Sequence, residues 1–366
     1  MWPNVPNNAG KLLVLLGSLL PLCACDPCNA TFEKVEKAER YEAAEKTAPP
    51  TEVESLEVMT WNIKHAGGRI RFFYECPGDR VEMTEKEVEQ NLEGIAAKIS
   101  QVDPDIVLLQ EVDIDSNRTA GVDQLQRLLD QTPLNYGVYA SQWRSSYIPR
   151  HGLGRVDSGN AILSRWPIKE ATRLALPLIS SQNFVVRYFY LKRNILKARL
   201  AIPGFGSLFV LNTHFSAFDQ DGTRRKQLEE FEAELKALDD QGQRFVAGGD
   251  LNLIPPGSKV TENFADIQCE KEDFEAADYS DKTGALKDLY TAWEPAIPLE
   301  TYRADNDPYL TYTGDEDVFW TRKLDYLFTN GEFADGSGLV HQNKERGGMA
   351  TIELSDHAPV TAVLKK

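Results

Sequence analysis

The sequence lacks the surplus of basic residues that a protein needs to hold duplex DNA against a broad surface. Its 366 residues include 40 lysines and arginines against 56 aspartates and glutamates, a formal net charge of −16. Nucleic-acid backbones are bound by many lysine and arginine side chains on one face, so this balance disfavours extended duplex nucleic acid as a partner. A small basic pocket for a single phosphate group remains compatible with it.

The N-terminal apolar run is too short to span a bilayer. Leu12–Leu22 has eleven residues, whereas a membrane-spanning helix needs about 20. The run follows Lys11 and ends in Leu-Cys-Ala-Cys, which resembles a bacterial lipobox. It therefore predicts a lipoprotein signal over residues 1–24, with Cys25 as the lipidated residue, and an exported protein anchored to a periplasmic or cell-surface membrane. A plain secretory signal cut nearby is the alternative.

Cysteines are also few, and their spacing argues against a zinc site. The chain has five, and no Cys-x-x-Cys pair is followed by a second pair or by paired histidines. Cys76 and Cys269 are candidates for a disulfide in an oxidising compartment.

The segment after the signal has too few apolar residues for a core. Residues 25–54 are polar, mixed in charge and end in Pro49-Pro50. They are interpreted as a lipidated tether or linker, partly helical around residues 32–45. No break rich in proline and glycine divides residues 55–366, which predicts one domain there. A monomer is expected.

Strand patterns outnumber helical ones in this domain, which favours an α+β fold, a β-sandwich flanked by helices, over a doubly wound parallel sheet. A capping box at Thr84–Glu87 begins a helix that should end before Pro104. Helices are also predicted at residues 123–129 and 223–238. Short apolar or alternating runs predict strands at residues 56–61, 106–109, 158–164, 184–190, 195–202, 208–211, 245–247, 324–328 and 358–364. Those at 184–190 and 195–202 are interpreted as a β-hairpin.

Several predicted strands end or begin in polar residues that a core cannot bury unpaired. One such residue is usually a turn cap, and a single histidine is usually structural, but six segments together are typical of a site. The segments are Trp61-Asn62, Leu109-Gln110-Glu111, Leu211-Asn212-Thr213-His214, Gly248-Gly249-Asp250-Leu251-Asn252, Arg322-Lys323-Leu324-Asp325-Tyr326 and Ser355-Asp356-His357-Ala358-Pro359.

These residue types suit hydrolysis of a phosphate ester with a hard divalent cation. Mg²⁺ prefers oxygen ligands and few protein contacts, which Glu111, Asn62 and Asp356 would supply. Water needs a base, for which His357 beside a carboxylate is suited. His214 and Asn252 could donate hydrogen bonds to the charge that develops on the phosphate.

The same segments, in this order, resemble the endonuclease/exonuclease/phosphatase superfamily, which includes DNase I-like nucleases, apurinic endonucleases, neutral sphingomyelinases and inositol polyphosphate 5-phosphatases. The motif Gly159-Asn160-Ala161-Ile162-Leu163-Ser164-Arg165 adds to the match, which covers about residues 56–364. The resemblance implies two packed β-sheets, mostly antiparallel, with helices outside and an active site at one end of the sandwich.

The resemblance also implies a role for each matching residue. Asn62 and Glu111 resemble the metal ligands, Asp356 a further metal-linked acid, and Mg²⁺ is the expected metal, with Mn²⁺ as an alternative. His357 resembles the general base, oriented by Asp325. Asp250 and Asn252 resemble the pair that positions the phosphate and the nucleophile or leaving group. His214 resembles a histidine that contacts phosphate in sphingomyelinase-like members.

Two basic segments, residues 143–155 and 188–193, are candidates for binding the substrate phosphate, since the arginine fork pairs with phosphate oxygens. Arg144, Arg150 and Arg155 lie in the first stretch and Arg193 in the second. A solvated loop is the competing interpretation. Ser116 and Arg118 are further candidates for approaching substrate.

Three functions are compatible with these features. The first is an exported metal-dependent phosphodiesterase or phosphatase acting on a small or lipid-linked phosphate ester. An extracytoplasmic nuclease acting on DNA or RNA is the second, and a non-catalytic binding protein the third. Net charge, the membrane tether and His214 favour the first.

Overall fold

A computed structural model of the protein describes residues 28–76, 78–217, 221–266, 278–342 and 351–366. The predicted signal, the lipidation site Cys25 and the disulfide candidate Cys269 lie outside these residues. Among the described helices, none is both long and apolar enough to cross a bilayer.

Strands outnumber α-helices in the described parts of the chain. In chain order they are β1 (Val35–Lys37), β2 (Glu39–Glu42), β3 (Ser55–Asn62), β4 (Ile106–Asp113), β5 (Tyr136–Ile148), β6 (Gly154–Ser164), β7 (Ile168–Ala175), β8 (Asn194–Ile202), β9 (Gly206–His214), β10 (Phe245–Asp250), β11 (Glu294–Pro295), β12 (Asp325–Thr329), β13 (Leu339–Val340) and β14 (Val360–Lys365). The helices are α1 (Glu85–Val102), α2 (Gln124–Gln131), α3 (Phe184–Phe189), α4 (Thr223–Asp240), α5 (Lys287–Ala292) and α6 (Leu299–Ala304).

The described strands form two seven-stranded sheets. The first has the order β13-β14-β3-β4-β6-β5-β2 and the second β1-β7-β8-β9-β10-β12-β11. Only the pairs β3–β4 and β9–β10 are parallel among the described ladders. The predicted α+β sandwich with mostly antiparallel sheets is therefore confirmed.

Apolar side chains from the two inner sheet faces form the central core. Val58, Leu108 and Ile162 of the first sheet belong to one buried cluster with Leu196 and Val210 of the second. This is the alternation expected when each strand buries one face between packed sheets. On the outer faces, α1 and α2 cover the first sheet and α4 and α5 cover the second.

Local sequence signals fix α1 as predicted. Thr84 accepts from the Glu87 backbone N–H, and the Glu87 carboxylate accepts from the Thr84 backbone N–H, which completes the capping box. The helix ends at Val102, where Asp103 takes a left-handed conformation with φ 58° before Pro104.

The prediction of a β-hairpin at residues 184–190 and 195–202 is wrong for its first strand. Residues Phe184–Phe189 form α3, capped by the Asn183 side chain, which accepts from the Val186 N–H. The second half does form β8, but both edges of β8 are already paired, with β7 and with β9. A strand at 184–190 would therefore have no partner, and its β-branched and aromatic composition cannot decide the structure alone.

The interpretation of residues 25–54 as a linker with some helix also needs correction where those residues are described. β1 pairs with β7 in the second sheet, and β2 pairs with β5 in the first. The buried Ala38 lies between β1 and β2, and its N–H donates to the Ala171 carbonyl at 3.1 Å. Because sheet edges offer unpaired backbone groups, even a polar segment can complete them. Residues 28–54, here called the N-terminal clasp, thus join the two sheets along one side.

Removing the N-terminal clasp is expected to destabilise the fold. A chain that begins at residue 55 loses both edge strands and the buried Ala38 and Val53. We expect its free energy of unfolding to fall by about 3 kcal/mol or more relative to a chain that begins at residue 28. Urea denaturation followed by circular dichroism measures the difference. Equal midpoints for the two chains would show that the clasp is only a tether.

Candidate active site

Three strands of the second sheet bring a histidine and two aspartates to one end of the sandwich. Asp250, the last residue of β10, pairs in register with His214 on β9 and with Asp325 on β12. The two preceding glycines permit this close approach. A Cβ on Gly248 would lie 1.9 Å from the Tyr326 carbonyl oxygen, and one on Gly249 would lie 1.9 Å from that of Thr213.

His357 completes the cluster from the loop before β14. Its Nδ1 lies 2.8 Å from Asp325 Oδ2, and its Nε2 lies 3.6 Å from Asp250 Oδ2. His214 Nε2 lies 3.3 Å from the same Asp250 oxygen. The His357 backbone is fixed by Trp61, whose indole N–H donates to its carbonyl at 2.8 Å. All four clustered residues are almost fully buried.

Burial and mutual charge move the pKa values of this cluster apart. Burial, together with the nearby Asp325 charge, raises the pKa of Asp250 to about 7, against the opposing effect of His357. Burial alone would lower the pKa of His357, but Asp325 and Asp250 outweigh it and raise that pKa to about 10. Burial and the Arg193 charge hold the pKa of His214 well below its usual value. These shifts favour the protonated form of His357 and the neutral form of His214, and they make Asp250 more basic than an ordinary aspartate.

The first sheet contributes Asn62 and Glu111 from the ends of β3 and β4. β4 is parallel to β3, so Asn62 aligns with Gln110, the residue before Glu111. The β4–β6 ladder shifts register between Leu109 and Val112, and Glu111 has a left-handed φ of 56°. A bulge of this kind redirects a side chain at a strand end. It leaves the Glu111 side chain 32% exposed among buried neighbours.

Asn62 links the two halves of the site. Its Nδ2 donates to Glu111 Oε1 at 3.3 Å and to Asp250 Oδ2 at 3.1 Å, while its Oδ1 accepts from the Lys64 N–H at 3.0 Å. In this arrangement the amide orients two carboxylates and turns its oxygen away from them. The metal-ligand role predicted for Asn62 stays a prediction.

The sequence interpretation missed His65, which lies directly behind Glu111. His65 is fully buried with a left-handed φ of 43°, and its Nδ1 lies 3.3 Å from Glu111 Oε2. An ionised carboxylate only accepts hydrogen bonds, so Nδ1 carries the proton and Nε2 accepts from the Tyr74 hydroxyl at 2.9 Å. Burial disfavours the Glu111 charge, but the His65 hydrogen bond and the charge of Arg118 help to hold the pKa of Glu111 well below its usual value. The only sequence signal was a histidine three residues after Asn62.

The buried donors fit a hard divalent cation. Ligand atoms of Asp250, Asp325 and His357 lie within 4.8 Å of one another, and Asp325 Oδ1 is buried without a hydrogen-bond partner among the described residues. Glu111 adds an ionised, partly exposed carboxylate. Oxygen-rich donor sets of this kind suit Mg²⁺ or Mn²⁺ rather than softer metals.

Two of the remaining predicted residues lie beside this cluster. Asn252 follows Asp250 with a left-handed φ of 50°, and its N–H donates to Asp250 Oδ1 at 2.9 Å. Asp356 is half-buried, accepts from the Ser355 hydroxyl at 3.3 Å and contributes to the raised pKa of His357. The metal-linked role predicted for Asp356 stays a prediction.

Gln110 and Asn212, which stand in the same strand-end segments, join the two sheets. Gln110 Nε2 donates to Asn212 Oδ1 at 2.7 Å, and Asn212 Nδ2 donates to the Leu109 and Ala161 carbonyls at 2.8 Å. All of these atoms are buried between the sheets. Their role is to hold the strand ends together rather than to act on substrate.

The predicted substrate arginines separate into two groups. Arg193 is 6% exposed, donates to Gln142 Oε1 at 2.9 Å and has no partner for its Nε in the described part of the chain. It lies just before β8, whose Ile195 pairs with Thr213, so it is at the His214 end of the sheet, and its charge lowers the pKa of His214.

The others are held by neighbours further out. Arg144 is bound by Asp157 and Glu39, and Arg155 pairs with Asp115 at 2.7 Å. The guanidinium of Arg150 lies over the Phe73 ring at 5.7 Å.

The two further candidates have structural partners. Arg118 makes a two-pronged ion pair with Asp113, at 2.8 Å for both bonds, and its Nη1 donates to the Tyr74 hydroxyl at 3.4 Å. The Ser116 hydroxyl donates to the Asp157 carbonyl at 3.1 Å. Arg118 therefore supports Tyr74 and, through it, His65.

Comparison with known proteins gives a family match over most of the chain. The model of the endonuclease/exonuclease/phosphatase family matches residues 59–357. No curated protein matches the sequence.

Solved structures share the fold at low sequence identity. A member of that family from Beutenbergia cavernae is 21% identical, with 86% of this chain and 72% of that chain covered and a TM-score of 0.55. A member from Leptotrichia buccalis is 14% identical, with 85% and 100% covered and a TM-score of 0.52. The human nocturnin catalytic domain with bound sulfate is 15% identical, with 90% and 96% covered and a TM-score of 0.50. At these identities the likeness concerns the fold alone.

Proposed function

Because this chain belongs to the endonuclease/exonuclease/phosphatase family, it is a metal-dependent hydrolase of phosphoric esters, and we propose that it acts after export on a small or lipid-linked phosphate ester. The proposed metal is Mg²⁺, with Mn²⁺ as a substitute. The observation that carries the proposal is the buried Asp325–His357–Asp250 cluster, in which one oxygen of Asp250 lies near two histidines.

The cluster accepts the proton that water loses as its oxygen bonds to phosphorus. With His357 protonated at neutral pH, we assign that proton to Asp250, whose raised pKa makes it a competent base near pH 7. Asp325 holds His357 in position and stabilises its imidazolium. This assignment differs from the sequence-based one, in which His357 is the base.

The developing charge on the phosphate oxygens is stabilised by donors on the protein. The protonated His357, the neutral His214 and Arg193 all lie at the same end of the sandwich. A metal bound at Glu111, with Asp356 beside it, would neutralise part of the same charge and lower the cost of releasing the leaving oxygen.

Charge favours a substrate recognised through one phosphate group. The chain carries a net charge of −16, and Arg193 is the predicted substrate arginine that lies at the buried cluster. A long polyanion would be repelled by such a surface. The alternative, an extracytoplasmic nuclease, is retained because the family includes nucleases.

Two features support export. Cys76 is disulfide-bonded and Cys28 is free, and disulfides persist in oxidising compartments. The second is the lipobox-like sequence that ends at Cys25. We propose that Cys25 carries the lipid, and the pairing of Cys76 with Cys269 remains a prediction.

A substrate panel tests the proposed function. The purified protein is assayed with Mg²⁺, Mn²⁺ or chelator on bis-p-nitrophenyl phosphate, p-nitrophenyl phosphate, sphingomyelin, inositol phosphates and plasmid DNA. We expect turnover of a small or lipid-linked ester that is lost with chelator, and DNA cleavage at least tenfold slower. Preferred cleavage of DNA would establish the nuclease alternative, and no turnover of any substrate would contradict both.

A further inference from the structure

Exposed apolar side chains concentrate at one corner of the sandwich. Eight large hydrophobic residues are exposed in the described parts of the chain, and five of them belong to the N-terminal clasp, the C-terminal end of β5, and the segment from residue 178 into α3. These five are Val35, Tyr147, Leu178, Phe184 and Val185. Phe184 and Val185 are the most exposed of all, at 74% and 63%.

The strand registers place this corner at the active-site end. β8 is antiparallel to β9, and Ile195 pairs with Thr213, so residues that precede β8 lie at the His214 end. β6 is antiparallel to β4, with Ser158 opposite Asp113, so the β5–β6 connection projects beyond Glu111. The exposed apolar side chains therefore lie at the same end of the sandwich as the catalytic cluster.

α3 is held so that one face points outward. Its C-terminal residue, Phe189, packs with Trp143, and the Trp143 indole N–H donates to the Phe189 carbonyl at 2.8 Å. Phe184 and Val185, at the other end, stay exposed. A fold that anchors the helix yet exposes a phenylalanine and a valine has a face suited to an apolar partner.

The described chain begins against the same helix. The Ser146 N–H donates to the Cys28 carbonyl at 2.9 Å, and Asn29 bridges to Ser145 on β5. The Asn29 side-chain amide also donates to the Tyr188 carbonyl in α3. Any chain before residue 28 therefore leaves the domain beside the exposed apolar residues.

Basic residues are concentrated in two stretches of the sequence at this corner. Residues 141–156 contain three arginines and residues 176–193 contain two arginines and one lysine, and neither stretch has an acidic residue. Arg144 and Arg155 are paired with acids, but Arg187 on α3 is exposed. The exposed Arg187, next to Phe184 and Val185, is complementary to an anionic group on an apolar surface.

We propose that this corner, here called the docking rim (Val35, Tyr147, Leu178, Phe184, Val185 and Arg187), rests on the membrane to which the chain is attached. The proposal relies on the Cys25 lipid proposed above. Cys25 lies only three positions before Cys28 in the sequence, and a stretch of that length spans at most about 10 Å. A lipid at Cys25 thus holds Cys28, where the described chain begins, within about 10 Å of the bilayer surface.

Docking at the rim directs the active site toward the membrane surface. Phe184 and Val185 enter the head-group region, Arg187 meets anionic lipid phosphates, and the Asp325–His357–Asp250 cluster opens near the head groups. The substrates favoured by this placement are phosphate esters carried by lipids, rather than soluble ones.

A fluorescence measurement tests the orientation without depending on activity. The lipidated full-length protein is reconstituted in vesicles of phosphatidylcholine with a minor fraction of phosphatidylglycerol, with or without brominated acyl chains. Emission of Phe184→Trp, after subtraction of the wild type, should be quenched by brominated lipid to less than about half. Leu339→Trp, on the far edge strand β13, should be unaffected. Equal quenching at both positions, or none at position 184, would overturn the proposal.

A second measurement connects the rim to substrate choice. The double variant Phe184→Ser/Val185→Ser should lose about tenfold in kcat/KM on an alkyl p-nitrophenyl phosphodiester embedded in the vesicle, and less than twofold on soluble bis-p-nitrophenyl phosphate. The matched variant Val260→Ser/Leu339→Ser removes two exposed apolar side chains elsewhere and should match the wild type on both.

Other occupants of the rim give distinct results. An equal loss on both substrates would contradict the docking role. Quenching at position 184 that is abolished by a single-stranded oligonucleotide would indicate a nucleic-acid surface, and a concentration-dependent dimer dissociated by the double variant would indicate a second copy of the chain. Failure of the enzyme on every substrate would contradict the proposed function while leaving the quenching test intact.

Discussion

Replacing His357 by alanine is expected to lower kcat/KM on bis-p-nitrophenyl phosphate by about a thousandfold or more. The substitution removes the imidazolium that Asp325 and Asp250 stabilise, and it leaves two buried carboxylates facing each other without the cation between them. The loss therefore has two sources: the phosphate loses the hydrogen-bond donor of His357, and the pKa of the base, Asp250, changes. Steady-state kinetics with saturating Mg²⁺ measures it.

His341→Ala is the matched control for this experiment. His341 is equally buried but lies away from the site, where its Nε2 is 2.9 Å from the Thr361 hydroxyl. We expect this variant to lose some stability and to keep kcat/KM within about threefold of the wild type. If both histidine variants lose activity equally, the effect comes from disruption of folding rather than from chemistry.

The pH profile separates the two assignments of the base. If Asp250 accepts the proton and His357 acts as a cation, activity rises as Asp250 ionises near pH 7 and falls as His357 deprotonates near pH 10. Asp325→Asn removes a negative charge beside His357, which lowers the pKa of His357, so the descending limb should move to lower pH. A profile that rises only as His357 loses its proton would restore His357 as the base.

The site residues at the strand ends were predictable because each is a polar residue next to an apolar run, and the sheet register then brings them together. Asp250, His214 and Asp325 each adjoin an apolar run, and the register of β9, β10 and β12 makes them neighbours. The sequence identified the candidates, but it carried no information on which side chains would touch. Gln110 and Asn212 satisfied the same pattern and turned out to join the sheets.

The errors came from elements whose structure depends on distant partners. Residues 184–190 have strand composition, yet β8 has no free edge for them. The N-terminal clasp has the composition of a linker, yet two sheet edges accept it. His65 was missed because its importance comes from the left-handed turn that places it behind Glu111, which no periodicity reveals.

Replacing Glu111 by glutamine is expected to weaken divalent-metal binding by about a hundredfold, with a matching loss of activity at low metal concentration. Glu111 is ionised, partly exposed, and redirected by the β4 bulge toward Asn62 and the Asp250 carboxylate. Its charge contributes to metal affinity, whereas an amide of the same shape keeps the hydrogen bond to Asn62. Isothermal titration with Mg²⁺ and Mn²⁺ measures the affinity without relying on turnover.

His65→Gln and Glu234→Gln complete the comparison. Glutamine at position 65 keeps a donor but loses the rigid link from Tyr74 to Glu111, so metal affinity should fall by about tenfold, less than for Glu111→Gln. Glu234 pairs with Lys197 away from the site, and its glutamine variant should bind metal like the wild type. If Glu111→Gln binds metal as tightly as the Glu234 variant, then the metal is held by the carboxylates of Asp250 and Asp325 instead of by Glu111.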